Sequence, residues 1–106
     1  MEFSQLVDKM KKWIREIPLQ YQGKVSVEFL AEKENFLRYI IESNNYLAEA
    51  VVEPKGFHPY RYVSFTALDK RKEVTQQDAY YYYDDVNSSC SDIFYNLNKA
   101  IQYILD

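Results

Sequence analysis

Ala79-Tyr80-Tyr81-Tyr82-Tyr83-Asp84-Asp85, then Val86-Asn87-Ser88-Ser89-Cys90-Ser91-Asp92, is the stretch whose reading decides the fold. Four consecutive tyrosines favour a strand over a helix, and a strand sends successive side chains to opposite faces. A tyrosine strand therefore has two aromatic faces and belongs in a sheet covered on at least one side. The cover follows directly in the chain. Ser88 or Ser89 can cap a helix, Asp92 suits its positive N-terminal end, and Ile93, Phe94, Leu97, Ala100, Ile101, Ile104 and Leu105 form one apolar stripe. A helical turn over 76–83 is the competing reading, because Thr75 and Asp78 have the spacing of a capping box.

Upstream, Phe3, Leu6, Val7, Met10, Trp13, Ile14 and Ile17 recur every three or four residues, which predicts a first helix over about 4–16. Ser4 would cap it and Pro18 would end it. The period then changes from helical to two. Val25, Val27, Phe29 and Ala31 alternate with Ser26, Glu28, Leu30 and Glu32, and Leu37, Tyr39 and Ile41 alternate with Phe36, Arg38, Ile40 and Glu42. Asn44-Asn45 predicts a hairpin into a third strand, Tyr46 to Val52. After the Pro- and Gly-bearing loop from Glu53 to Pro59, Arg61, Val63, Phe65 and Ala67 oppose Tyr60, Tyr62, Ser64 and Thr66 in a fourth strand, Tyr60 to Leu68. The expected order is α-β-β-β-β-β-α in one domain over 1–106. The expected fold is an α+β two-layer sandwich in which an antiparallel meander of four or five strands carries both helices on one face.

Composition narrows the classes of function. The chain has 106 residues and a formal charge of -3, with 11 Tyr, 2 Gly, one Cys and one His. The charge alternates by segment: +2 over 1–24, -4 over 25–53, +3 over 54–77 and -4 over 78–106. That balance lacks the basic excess of a nucleic-acid binder, so nucleic acid is not the expected partner. A single Cys excludes an internal disulfide, and no run approaches ~18 apolar residues. The Lys-rich start carries no apolar leader pattern, so the sequence expectation is a cytoplasmic protein with no membrane partner.

Chemistry-bearing groups are sparse. His58 lies in the Phe57-His58-Pro59 loop and reads as a surface histidine rather than a base or ligand. Cys90 falls in the first turn of the last helix, where a dipole favours thiolate but Asp85 and Asp92 oppose it. Asp85, Asn87 and Ser89 copy the opening of a calcium loop, yet the required Gly is absent and Asn96 stands in place of the bidentate Glu. Two glycines cannot build a phosphate cradle. The expectation is a non-enzyme with no metal, no cofactor and no small-molecule site.

What remains is aromatic density on the uncovered face of the sheet. If Val25, Val27, Phe29, Val63 and Phe65 face the helices, then Tyr60, Tyr62, Phe36, Ile40 and one alternate pair of the run, Tyr80/Tyr82 or Tyr81/Tyr83, face outward. Tyr60, Tyr62, Tyr80 and Tyr82, with Arg38, Glu28 and Glu42 among them, form the candidate partner-binding set, an aromatic centre with a polar rim. The expected function is protein–protein interaction through this face, with a protein partner or a second copy of the chain. A small acidic inhibitor of the immunity-protein kind is its most specific form. The alternative is single-stranded nucleic-acid binding by the basic first helix, with Lys9, Lys11, Lys12 and Arg15, together with Lys70 to Lys72 and exposed tyrosines.

Overall fold

A computed structural model of the chain describes residues 2–54, 59–76 and 78–105. Its elements are α1 (Phe3–Gln20), β1 (Val25–Lys33), β2 (Phe36–Ser43), β3 (Tyr46–Val52), β4 (Val63–Asp69), a 3-10 turn (Val74–Gln76), β5 (Asp78–Tyr83) and α2 (Cys90–Leu105). The five strands form one antiparallel meander in the order β1-β2-β3-β4-β5. Both helices pack on the same face, so the expected two-layer α+β sandwich is the observed one. No described helix is long and apolar enough to cross a membrane.

The core lies between that face and the helices. Leu6, Met10, Ile14 and Ile17 of α1 and Ile93, Leu97, Ala100, Ile101 and Ile104 of α2 are buried against Leu37, Tyr39, Ile41, Val52, Val63 and Phe65. The middle of the sheet is lined by alanines: Ala48 pairs with Ala67, and Ala50 sits opposite Phe65. Short side chains there let the helix backbones approach, and the large ones at the periphery fill the flanks. Trp13 ties the two helices together by donating from Nε1 to Asn98 Oδ1 at 2.9 Å.

Several local features depart from the sequence expectation. No side chain caps α1 at Ser4: the N-cap is Glu2, and the Leu6 N–H donates to the Glu2 carbonyl. The helix also runs past Pro18 to Gln20. A proline this late removes a single donor and leaves only Leu19 and Gln20 beyond it, with the end closed by the Tyr21 N–H on the Ile17 carbonyl. For α2 the cap is Ser89, which accepts the Asp92 N–H while Asp92 accepts the Ser89 N–H, a reciprocal box that holds the Asp92 carboxyl below its ordinary range. The competing helical reading of 76–83 does not hold over its described residues beyond Gln76, where the 3-10 turn ends: Asp78–Tyr83 is strand.

β1 contains a bulge at Leu30. Phe29 pairs with Tyr39 but Ala31 pairs with Arg38, so one extra residue is accommodated and the alternation inverts. Ala31 then shares the open face with Arg38, and Glu32 turns toward the helices. There Arg15 of α1 grips Glu32 with both guanidinium nitrogens at 2.7 and 2.8 Å, and the Tyr39 hydroxyl donates to the same carboxylate. The Arg15 contact, more than any other, holds the Glu32 carboxyl below its ordinary range, and burial raises the Tyr39 hydroxyl well above its own.

β4 begins at Val63 rather than Tyr60 because Asp84 intervenes. One carboxylate oxygen of this residue, 1% exposed, accepts the successive N–H groups of Arg61, Tyr62 and Val63 at 3.0, 2.8 and 2.8 Å. Three neighbouring donors converge on one acceptor only where the chain bends, so strand alternation fails over 60–62. Tyr62 consequently meets Phe3 of α1 edge-on, with ring centroids 5.1 Å apart, and joins the core side.

Two outcomes are expected from these contacts. Asp84→Ala leaves the Tyr62 and Val63 donors unpaired, while the Arg61 N–H keeps the Asp84 backbone carbonyl, and lowers stability by roughly 2–4 kcal/mol in urea unfolding, whereas Asp84→Asn keeps an acceptor and costs less. At the far end of β4, Asp69 accepts from the backbone and guanidinium of Arg71, chiefly through the side chain, which pulls its carboxyl from 3.8 to about 2. A depressed carboxyl stabilises the fold above its unfolded value and ceases to do so as pH falls through about 2. Between pH 3.8 and about 2, thermal melts of Arg71→Gln should therefore lose less stability than the parent protein.

Candidate interaction face of the sheet

The register settles which tyrosines face outward. Tyr82 lies opposite Phe65 and Tyr80 opposite Ala67, both core positions, while Tyr81 lies opposite Thr66 and Tyr83 opposite Ser64. Tyr80 and Tyr82 are therefore on the helix side. Tyr80 stacks at 4.8 Å on Tyr103 of α2, which also contacts Tyr46 at 5.4 Å. Burial raises the Tyr82 hydroxyl to about 12, and its oxygen makes no hydrogen bond at bonding geometry. The expectation that Tyr62, Tyr80 and Tyr82 face away from the helices is thus corrected in placement: the bend at 60–62 turns the first inward, and strand parity places the other two there.

Tyr60 does stand on the open face, joined by Tyr81 and Tyr83. The three rings form a run, Tyr60 to Tyr83 at 5.6 Å and Tyr83 to Tyr81 at 5.2 Å. Tyr81 is 71% exposed and Tyr83 37%. At one end the Tyr60 hydroxyl donates to Glu53, and burial, followed by that bond, raises it to about 12. At the other end lies Asp78, exposed on the surface.

Beside the rings the sheet carries two adjoining depressions of about 340 and 370 Å³. Both are lined by Thr66 and Asp78; Tyr81 and Tyr83 line the first, and Ile40, Leu47 and Leu68 the second. Glu28, Arg38 and Glu42 are on this face as expected, since Glu28 pairs with Ile40, Arg38 with Val51 and Glu42 with Leu47. The cations are engaged: Arg38 binds Glu49 at 2.6 Å and Lys70 binds Glu42 at 2.7 Å. With Glu28 and Asp78 added, carboxylates outnumber cations among the described residues of this face. Exposed π-surfaces and excess carboxylate attract a cation and repel an anion.

The basic side chains of α1 sit elsewhere. Lys9 and Lys12 border a hollow with Trp13 and Phe94 on the outer surface of the helix layer, and Arg15 is committed to Glu32. Lys9 and Lys12 of α1 and the exposed tyrosines are on opposite layers of the molecule, while Lys70 stands at the open face, engaged by Glu42. Cys90 opens α2, half-buried against the core. The oxygen-rich turn is consumed locally: Asp85 accepts from Asn87 and Ser88, while Ser89 and Asp92 cap the helix. Among the described residues no three His, Cys, Asp or Glu side chains gather as a metal site would require. His58 lies outside the described residues.

No protein-family model, curated protein or solved structure matches this chain.

Sequence reasoning leaves the outward pair open between Tyr80/Tyr82 and Tyr81/Tyr83 and takes the wrong pair into the candidate set, and it misses Leu47, Leu68 and Asp78 as members of the face. The signal is in the sequence: Val63 and Phe65 read as facing the helices, and pairing the next strand back across Phe65 fixes which tyrosines share its side. An expected outcome follows for Tyr60. A hydroxyl that titrates near 12 instead of 10 stabilises the fold below pH 10 and ceases to do so as pH rises through about 12. Glu53→Gln should lower the Tyr60 midpoint in carbon NMR of the ring without returning it to 10, because burial is the larger cause.

Proposed function

We propose that this protein is a non-catalytic binding module whose open sheet face docks a protein partner with a basic surface. The observation that carries the reading is the exposed Tyr60–Tyr83–Tyr81 ring run, set among carboxylates and beside an Ile40, Leu47 and Leu68 hollow. Tyrosines with an apolar floor supply contact area at low conformational cost, and the carboxylate excess favours encounter with a cationic partner. The same excess opposes a second copy laid face to face, since like charges would then be apposed. A small acidic inhibitor covering a basic site on an enzyme is the form of partnership that fits best. Nucleic-acid binding is the weaker reading, because it needs the basic residues of α1 and the exposed rings on one surface, and Lys70 at that face is engaged by Glu42.

The test is affinity capture with the intact protein and two variants, followed by quantitative binding with the captured protein. Tyr81→Ala/Tyr83→Ala should weaken binding at least ~10-fold, about 1.4 kcal/mol. Tyr95→Ala, on the exposed side of α2, should leave binding unchanged. Raising salt from ~50 to ~500 mM should slow association. A partner indifferent both to the double variant and to salt would refute the proposal.

A further inference from the structure

The two edges of the sheet are finished differently. β1 closes one side with the Leu30 bulge and with Glu28, Glu32 and Lys33, devices that discourage further strand pairing. β5 closes the other side with Tyr80 to Tyr83, a regular stretch with no proline, no charge and no bulge beyond the one at Ala79. The direction of its backbone groups follows from the ladder. The Asp84 N–H donates inward to the Val63 carbonyl, so Tyr82 and Tyr80, two and four residues back, also point their N–H and C=O groups toward β4. Tyr81 and Tyr83 point theirs away from the sheet. Their side chains line the depression next to this edge, together with Asp78. Acidic residues mark both ends of the stretch, Asp78 before it and Asp85 after it.

We infer that β5 receives an extended, basic segment of the protein partner as a sixth strand, hydrogen-bonded to the outward N–H and C=O groups of Tyr81 and Tyr83. The inference deepens the face-docking reading and rests on it. The main chain would supply the pairing, Tyr81 and Tyr83 would flank the alternate side chains on the open face, and Asp78 and Asp85 would meet cationic residues at the two ends. A second copy is the poorer occupant. Antiparallel self-pairing of Tyr81 with the partner's Tyr83 sets Asp78 of each copy beside Asp85 of the other, four like charges in two close pairs.

The experiment uses the full chain and two synthetic ten-residue peptides of alternating Val and Thr, one ending in two Arg on each side and the other in two Glu. Amide hydrogen exchange at Tyr81 and Tyr83 should be fast in the free protein, with Tyr80 and Tyr82 slower. Saturating Arg-ended peptide should slow Tyr81 and Tyr83 by ~10-fold or more, and the Glu-ended peptide should not. Tyr81→Pro, which removes an outward N–H and spares the ladder to β4, should abolish the effect, and Tyr81→Phe should retain it. If Tyr81→Pro does not fold, the exchange measurement on the parent protein decides alone. Peptide-induced shifts at Leu47, Thr66 and Leu68 with unchanged exchange at Tyr81 and Tyr83 would overturn the edge inference while sparing the face reading. No binding by either peptide, equal protection by both, or protection that grows with protein concentration alone would also overturn it.

Discussion

A single carboxylate oxygen sets the frame of the outer half of this sheet. Asp84 gathers the N–H groups of Arg61, Tyr62 and Val63, which fixes where β4 starts and how β5 is registered against it. Once that register is set, the faces of four tyrosines are determined, because alternate residues cannot share a side. A shift by one residue would bury Tyr81 and Tyr83 and expose Tyr80 and Tyr82. Which tyrosines reach the open surface is thus decided inside the protein, at a residue that is itself buried.

The layering of α1, α2 and the five-stranded meander was legible in the sequence because it depends on periodicity alone. Helical spacing in Leu6, Met10, Ile14 and Ile17, and period-two alternation in Leu37, Tyr39 and Ile41, leave little room for another arrangement. What could not be read were contacts that override local pattern. The Leu30 bulge is one: nothing in Phe29-Leu30-Ala31 announces an extra residue, yet it turns Glu32 from the open face to a bidentate partner of Arg15. Pro18 is another, tolerated inside α1 because only Leu19 and Gln20 follow it in the helix.

The candidate face was half legible. Tyr60, Arg38, Glu28 and Glu42 could be placed from alternation, and they are on the open side. Tyr62 could not, since its inward turn depends on an aspartate 22 residues away. The pair within the tyrosine run required the pairing partner across the ladder, and the aliphatic floor of Leu47 and Leu68 emerged only once strands distant in sequence lay side by side.

Trp13, the sole tryptophan, is buried in the helix layer with its indole nitrogen bonded to Asn98, on the far side of the sheet from the exposed rings. The molecule thereby carries an internal optical gauge of helix docking that is deaf to events on the opposite surface. Its emission reports whether the two layers are assembled, so helix docking can be followed in an unlabelled sample.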